Sequence, residues 1–279
     1  MLLTSLMFLG CQRVNIEEGI IDEGQECFKI VTPVATFFYQ KEAGGFSSIL
    51  DSEGNDWINF KKDTSEYYPF SAASSYRGLP NLVFRSADSG AGHPGFYQCV
   101  SELVASNKIR TTSKSGKWQW TWIFDKKYAI LSVDRVDPEH PYWFLYEGTV
   151  GGKYRPHLQY WGTNVGGPNK SLPDYYFGNA LYENWRWIYF GDEYTDRIFY
   201  IVQNVKDDLL DTFSYLGNTD LGIVSPDGMV VFGFGRRENA TPLMNEEGMT
   251  FTIGFIEKKV MNKEDHSSVE KKIRNIMTE

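Results

Sequence analysis

Residues 117–124 read KWQWTWIF, and this stretch decides the fold class. Trp118, Trp120 and Trp122 alternate with other side chains, so a β-strand places all three indoles on one face. Three large rings on one face can fill a thick core between two sheets, and they can also line an open groove. For a strand of this kind the pattern favours the core.

Short strand-like segments continue along most of the chain. Residues 184–190, NWRWIYF, repeat the alternation and place Trp185, Trp187 and Tyr189 on one face. The segments are rich in β-branched and aromatic residues, and turns such as PDG at 226–228 separate them. We therefore predict an all-β protein, a large antiparallel sandwich of two sheets.

The two ends of the chain differ from this β-rich body. Residues 262–279 are predicted to form a C-terminal helix that caps the fold or packs on the edge of the sandwich. Its apolar positions recur at helical spacing: Val269, Ile273, Ile276 and Met277. Residues 1–27 are predicted to be a leader and tether, and residues 28–261 the sandwich domain.

The leader MLLTSLMFLGC is a short apolar run that ends in a cysteine. A run of about ten apolar residues is too short to cross a bilayer and is typical of a secretory signal. Leu9-Gly10-Cys11 resembles a bacterial lipoprotein box, which implies a lipid anchor at Cys11 and export to the periplasm or the outer membrane. The alternative is a buried N-terminal strand. The acidic residues 17–26 are predicted to be loosely ordered.

Charge and spacing exclude several partners. A net charge of -8 argues against a nucleic-acid partner, which needs a basic face to neutralise its phosphates. No CxxC, HxxxH or HExxH spacing predicts zinc, and no Walker loop or dinucleotide motif predicts a nucleotide. We predict no cofactor. A structural Ca²⁺ held by loop oxygens is the alternative, although the sequence carries no signature of one. Cys27 and Cys99 could pair in an exported chain.

Two histidines lie in constrained, ring-rich turns. His93 lies in GHPG, where the proline biases it towards extended geometry and can make it project rigidly. A hydrogen bond to its own loop is the alternative. His157 lies in KYRPHLQYWG, whose other candidate residues are Lys153, Arg155, Tyr160 and Trp161. Imidazole, guanidinium, phenol and indole together suit recognition of a polar ring that carries a carboxylate.

Arginine and glutamate candidates lie in two further stretches. Tyr76 and Arg77 lie in the polar SAASSYRGLPN, and Arg85 follows eight residues later. Arginine binds carboxylates through two parallel hydrogen bonds, although structural salt bridges are the alternative. Glu147 follows WFLY and precedes GTVGG. A carboxylate beside apolar rings can have a raised pKa and act as an acid or base, whereas a buried Arg–Glu pair is the structural interpretation.

The stretch 141–162, PYWFLYEGTVGGKYRPHLQYWG, combines core and site features. We predict that residues 142–146 form a buried strand whose rings are mostly core. From Glu147 onwards, glycines free the backbone, and we predict that this second half faces a ligand.

Three stretches together resemble the galactose-mutarotase-like β-supersandwich proteins: FYQKEAGGFSSILDSEGNDWINF at 38–60, YRGLPNLVF at 76–84 and PYWFLYEGTVGGKY at 141–154. The resemblance covers roughly residues 37–257. It implies an exported carbohydrate-active protein, because aldose epimerases and polysaccharide lyases share this fold. Aldose epimerases use two histidines and a late glutamate, but the contexts of His93 and His157 differ from their motifs, so simple epimerisation is not predicted.

The leading hypothesis is β-elimination on a uronate-containing polysaccharide. This reaction needs a cation at the carboxylate, a base for the α-proton and an acid for the leaving oxygen. The candidates are, in that order, Arg77 or Arg155, His93 or His157, and Tyr76 or Tyr160. Further substrate-binding candidates are Arg85, Lys153 and Trp161. The alternatives are a non-catalytic glycan-binding lipoprotein and a glycoside hydrolase with Glu147 and Asp192 as its carboxylates.

Overall fold

Nearly all regular structure in the described residues is antiparallel β-strand. The structure, a computed structural model, describes residues 13–62, 73–171, 180–217 and 222–277. Its strands are β1 (Asn15–Asp22), β2 (Gln25–Val31), β3 (Ala35–Gln40), β4 (Gly45–Asp51), β5 (Cys99–Ala105), β6 (Lys108–Ser113), β7 (Gln119–Phe124), β8 (Tyr128–Arg135), β9 (Phe144–Gly148), β10 (Gln159–Thr163), β11 (Gly166–Asn169), β12 (Leu181–Glu183), β13 (Trp187–Asp192), β14 (Ile198–Gln203), β15 (Asp211–Leu216), β16 (Met229–Phe234), β17 (Arg236–Arg237), β18 (Thr241–Pro242) and β19 (Thr250–Ile256). The helix α1 spans Lys263–Ile276.

The strands form two packed layers. One layer is a nine-stranded sheet in the order β11-β10-β13-β14-β19-β8-β7-β6-β5. The second layer combines two four-stranded sheets, β1-β2-β3-β4 and β12-β15-β16-β9. Residues 78–82 join them, because Leu79 bridges to Phe46 of β4 and Gly78 bridges to Glu147 of β9. The predicted all-β sandwich is confirmed.

The indoles that open the sequence analysis fill the space between the layers. Trp118, Trp120 and Trp122 are fully buried. The ring of Trp122 lies 4.9 Å from that of Phe46 in the opposite layer. Trp120 donates a hydrogen bond from Nε1 to the hydroxyl of Tyr39, 2.9 Å away. The core interpretation of KWQWTWIF is therefore confirmed.

The second aromatic strand is covered on both faces. Trp187 and Tyr189 pack beneath α1, whereas Phe190 faces the core between the layers. Trp185 does not share the face of Trp187, because it precedes the first residue of β13 and packs on Phe232 of the opposite layer. The strand periodicity thus begins two residues later than the sequence pattern suggests.

The predicted C-terminal helix is present and packs on a face of the nine-stranded sheet. Asn262 caps it by accepting a hydrogen bond from the backbone N–H of Asp265. Val269 and Ile273 are fully buried against the outer face of the sheet. His266 is buried as well, and its Nδ1 lies 3.0 Å from the Tyr189 hydroxyl.

The acidic N-terminal segment is strand rather than tether. Residues 15–22 pair with residues 25–31 as the hairpin β1–β2, so the sheet begins before the predicted boundary at residue 28. The acidic side chains point outward, and Lys41 pairs with both Glu18 and Glu26. Cys27 and Cys99 are buried free thiols. Cys11 and the rest of the predicted leader lie outside the described residues. No helix in the described ranges has the length and apolarity needed to span a membrane.

Candidate functional site

Strand β9 presents different residues to its two faces. Phe144 and Tyr146 point into the core between the layers. Trp143, Leu145 and Glu147 point the other way, since side chains alternate along a strand. Trp143 and Leu145 join an apolar cluster on the outer face of this sheet. The outer face therefore carries one carboxylate among apolar side chains.

A pocket with a cavity volume of ≈ 180 Å³ opens on this face, and we call it the aromatic pocket. Residues that line it include Tyr76, Asn81, Phe84, His93, Phe96, Trp143, Leu145, Glu147 and Arg236. They come from β9 and the residue before it, from the connecting residues 76–84, from the loop 89–96 and from β17. Three predicted catalytic residues, Tyr76, His93 and Glu147, thus meet in one pocket.

Glu147 is the titratable acid of the aromatic pocket. Its side chain is buried, and its Oε2 accepts a 2.6 Å hydrogen bond from Nδ2 of Asn81. Burial raises the pKa of Glu147 to about 7, although the charge of Arg236 and the bond from Asn81 act against this rise. A carboxyl group with this pKa can take up or release a proton near neutral pH.

His93 is held by backbone carbonyl groups on both sides of its ring. Its Nδ1 lies 2.7 Å from the carbonyl oxygen of Pro94, and its Nε2 lies 3.0 Å from that of Tyr76. Burial lowers the pKa of His93, and these two hydrogen bonds act against the lowering. The ring is therefore fixed in orientation and supports the backbone at Tyr76. Its predicted catalytic role stays a prediction.

Aromatic rings form the mouth of the pocket. The rings of Phe84 and Trp143 stack with their centroids 5.0 Å apart. Phe84 and Phe96 are 37% and 42% exposed, so two large apolar side chains face solvent beside a polar interior. The guanidinium carbon of Arg236 lies 5.8 Å from the Trp143 ring, so a cation lies close to the stacked pair. Such a mouth suits a ring with one apolar face.

The residues of this pocket that the sequence analysis missed include Asn81, Phe84, Phe96, Trp143 and Arg236. Trp143 had a usable signal, because it stands two and four residues before Leu145 and Glu147 on the same strand face. Arg236 lies two residues after the end of the buried strand β16, but neither composition nor spacing relates it to a glutamate 89 residues earlier. Only the pairing of β9 with β16 brings the two together.

Arg77 and Arg85 do not line the aromatic pocket. Arg77 is buried and donates hydrogen bonds to the backbone oxygens of Asn59 and Gly228, 2.8 and 3.0 Å away. It therefore ties two loops together, and burial lowers its pKa to about 10. Arg85 is exposed near the pocket mouth and donates to the backbone oxygen of Asn239. Neither guanidinium therefore joins Tyr76, His93 and Glu147 in that pocket.

Lys153 and Arg155 line a separate depression of ≈ 410 Å³, which we call the polar cleft. Its residues are Gly54, Asn55, Asp56, Asn59, Gly151, Gly152, Lys153, Arg155, Tyr194 and Thr195. Arg155 forms a two-point salt bridge with the buried Asp192. Asp192 therefore does not share a pocket with Glu147, and the carboxylate pair required for the predicted hydrolase is not assembled.

The remaining ligand-facing predictions fall elsewhere. His157 is exposed on the turn Pro156–Leu158 and lines neither the aromatic pocket nor the polar cleft. Tyr160 is buried beneath α1, where its hydroxyl accepts a hydrogen bond from Val260 N–H. Trp161 lies in the core with its ring 5.2 Å from that of Phe213. Residues 142–146 are buried as predicted, although Trp143 and Leu145 also line the aromatic pocket. The second half of residues 141–162 is divided, because Lys153 and Arg155 line the polar cleft whereas Tyr160 and Trp161 are buried.

One group of side chains in the described ranges has the composition of a metal site: Asp137, Glu139 and His140. The Lys117 ammonium lies 2.9 Å from Asp137 Oδ2, and His140 Nδ1 lies 3.0 Å from the same oxygen. The Lys117 contact holds the pKa of Asp137 down to about 2. A lysine therefore already neutralises the carboxylate that a metal would need.

Comparison with solved structures identifies the fold. The crystal structure of HI1317 matches with a TM-score of 0.52 at 10% identity, covering 88% of this chain and 100% of that one. A candidate mutarotase (YeaD) from Salmonella typhimurium matches with a TM-score of 0.51 at 10% identity, covering 88% and 94%. A galactose mutarotase-like protein from Lactobacillus casei matches with a TM-score of 0.46 at 9% identity, covering 82% and 99%. The predicted resemblance in fold is confirmed.

Sequence comparison adds nothing to this picture. No protein-family model matches the chain, and no curated protein sequence matches it.

Proposed function

We propose that this protein is carbohydrate-active and binds one sugar residue of a polysaccharide in the aromatic pocket. The observation that carries the proposal is a proton-exchanging carboxyl group, Glu147, in the same aromatic pocket as the cation of Arg236. Aromatic mouths with a few convergent polar groups are typical of small-ligand sites. The fold shared with YeaD, a candidate mutarotase, agrees with a sugar ligand.

The reaction we propose is β-elimination at a uronate residue. Arg236 neutralises the substrate carboxylate, in place of the predicted Arg77 or Arg155, and thereby stabilises the charge that develops when the α-proton leaves. Glu147 takes that proton as the base, because its raised pKa makes it more basic than an ordinary glutamate. Tyr76 donates a proton to the leaving oxygen. Burial and the nearby Glu147 raise the pKa of Tyr76, so it is protonated at neutral pH.

In this elimination, each bond that breaks is matched by a bond that forms. The C5–H bond breaks and its proton moves to Glu147, the electron pair forms the C4–C5 double bond, and the C4–O bond breaks. The leaving oxygen takes the proton of Tyr76. The net reaction consumes no oxidant and no water, and the two side chains are reset by proton exchange with solvent.

An ultraviolet assay tests this reaction. The full chain is incubated with polygalacturonate, alginate and heparin, and the absorbance of the new conjugated double bond is followed. We expect an increase on at least one uronate polymer, and about 100-fold or greater loss of that rate in Glu147→Gln. Glu102→Gln, an exposed glutamate on β5, is the matched control and keeps the rate. No increase on any of these polymers would overturn the lyase assignment.

The second candidate is a non-catalytic glycan-binding protein, favoured by the His93 ring, whose nitrogens both face backbone carbonyls rather than a ligand. A binding protein would stack its ligand on the exposed Phe84, whose ring rests on the buried Trp143, and would need no proton transfer. Isothermal titration with the same polymers separates the two. Binding without turnover, reduced in Trp143→Ala and unchanged in Glu147→Gln, would identify a binding protein.

We also propose that the protein is exported and lipidated at Cys11. The support is the apolar run that ends in Leu9-Gly10-Cys11. Metabolic labelling with a fatty acid in a bacterial host tests this. Label in the wild type that is absent from Cys11→Ala supports the anchor, and absence of label from both overturns it.

A further inference from the structure

The polar cleft is larger than the aromatic pocket, with a volume of ≈ 410 Å³ against ≈ 180 Å³. Three connections build it: residues 54–59 after β4, residues 151–155 between β9 and β10, and residues 194–195 between β13 and β14. Each connection leaves a strand of the sandwich. Loops held by a rigid scaffold are where binding residues concentrate.

Two glycines bring the cleft walls together. Gly151 and Gly152 have φ values of 69° and 81°, a left-handed conformation that favours glycine. A Cβ on Gly151 would lie 2.8 Å from Cβ of Asp192, and one on Gly152 would lie 2.9 Å from Cβ of Asn55. The turn is therefore packed closely against both neighbouring loops and sets the position of Lys153.

The charges of the cleft favour an anion. Arg155 and the fully buried Asp192 form a neutral pair, with Nη2–Oδ1 and Nε–Oδ2 distances of 2.7 and 3.2 Å. Lys153 is exposed and makes no ion pair within the described parts of the chain, so its charge remains available. Asp56 also lines the cleft, but its Oδ1 accepts hydrogen bonds from the backbone N–H groups of Ile49 and Ile58, so the protein already holds this oxygen.

Tyr194 gives the cleft an aromatic platform. Tyr194 is 72% exposed, compared with 45% for Tyr97 and 38% for Tyr182. The guanidinium of Arg155 lies 4.6 Å from the ring centroid, and the salt bridge to Asp192 keeps that guanidinium in place. One side of the ring is thus supported and much of its remaining surface is open, an arrangement that suits stacking against a sugar ring.

We propose that the polar cleft is a second carbohydrate subsite that takes an anionic sugar residue, with Lys153 at its carboxylate or sulfate and Tyr194 against its ring. Its substrate class rests on the proposed function of the aromatic pocket. Gly151 follows Glu147 by four residues, so their Cα atoms are at most about 14 Å apart. This separation lies within the span of a short oligosaccharide.

Isothermal titration of the full chain tests the second subsite with three probes. Oligogalacturonate carries carboxylates, heparin oligosaccharides add sulfates, and maltohexaose is neutral. We expect Lys153→Gln to weaken binding of the anionic probes about fivefold and to reduce its salt dependence. Tyr194→Ala is expected to weaken it about tenfold, whereas Tyr194→Phe keeps the platform and the affinity. Lys108→Gln removes an exposed lysine on β6 and serves as the matched charge control.

The outcomes separate this proposal from that for the aromatic pocket. Unchanged affinity in both Lys153→Gln and Tyr194→Ala overturns the subsite, whatever Glu147→Gln does to turnover. Equal weakening by Lys108→Gln, or equal weakening for maltohexaose, overturns the anionic assignment. A loss for heparin but not for oligogalacturonate assigns the site to sulfate. Weakened binding in the cleft variants together with no turnover on any polymer supports the cleft and counts against the lyase alone.

Discussion

Glu147 shows how a single residue acquires its chemistry from its position. The residue before it faces the core and the residue two before it faces the pocket, so strand geometry alone sends its carboxyl group outward. Loops and β17 then cover that outward face, and burial raises the pKa of Glu147 to about 7. An unfolded glutamate has a pKa of about 4.3, so folding makes this carboxyl group harder to ionise.

This difference predicts a pH-dependent stability. The stability that Glu147 contributes is fully present below its unfolded pKa and is lost as the pH rises through the folded pKa of about 7. We expect the free energy of unfolding of Glu147→Gln, relative to the wild type, to rise by about 3 kcal/mol from pH 4 to pH 8. Urea unfolding at both pH values measures it. A difference that does not change with pH would contradict the assignment.

At the scale of elements, α1 is defined by the sheet it covers. Its apolar residues meet Tyr160, Trp187 and Tyr189 on the outer face of the nine-stranded sheet, so a third layer covers what would otherwise be an exposed aromatic surface. This covering also explains why β13 is buried on both faces and why Tyr160 cannot reach a ligand. The aromatic residues of this region, which resemble those of a binding site, instead form the interface with α1.

We predict that weakening this interface destabilises the fold without altering the aromatic pocket. Ile273→Ala removes a fully buried side chain between α1 and the sheet and should lower the free energy of unfolding by about 2–4 kcal/mol. Lys272→Ala, on the neighbouring exposed position, is the control and should change it by less than about 0.5 kcal/mol. Thermal unfolding measures both. A similar loss in the two variants would show that α1 does not pack as described.

Sequence patterns predicted elements better than they predicted the site. The alternating indoles and the helical spacing of apolar residues at the C-terminus show which side chains are buried from neighbouring residues alone. The sandwich and α1 could therefore be inferred from local sequence. The site depends on pairings between distant segments, such as β9 with β16 and Gly78 with Glu147. Asn81 and Arg236 carry no local mark of that proximity. The aromatic side chains of Tyr160 and Trp161 suggested a sugar site, but they pack between layers, because such interfaces use the same aromatic residues as sugar sites.

At the scale of the whole molecule, residues 78–82 join two four-stranded sheets into one layer and also contribute Asn81 to the aromatic pocket. Hydrogen bonds from Gly78 N–H to the oxygen of Glu147 and from Glu147 N–H to the oxygen of Gly78 hold this junction, at 2.7 and 2.9 Å. A third, from Leu145 N–H to the oxygen of Pro80, extends it along β9. Binding and the assembly of the layer therefore depend on the same short segment.

This junction predicts a signal of occupancy in the backbone. A ligand in the aromatic pocket stabilises the closed form of the junction, because binding to one state lowers the population of the open one. We expect hydrogen–deuterium exchange at the amides of Gly78, Leu145 and Glu147 to slow about tenfold when a uronate oligosaccharide is present at ten times its dissociation constant. The amide of Ile109 in β6, far along the nine-stranded sheet, is the internal reference and should not change. Equal slowing at both places would show a general stabilisation instead.

Because of this junction, the aromatic pocket forms only when the two four-stranded sheets join. A chain in which the two four-stranded sheets have each formed but have not yet joined would lack the Asn81–Glu147 contact and thus any competent pocket. Ligand binding would therefore appear late during refolding, after the two sheets have formed. The time at which it appears would measure when the second layer is completed.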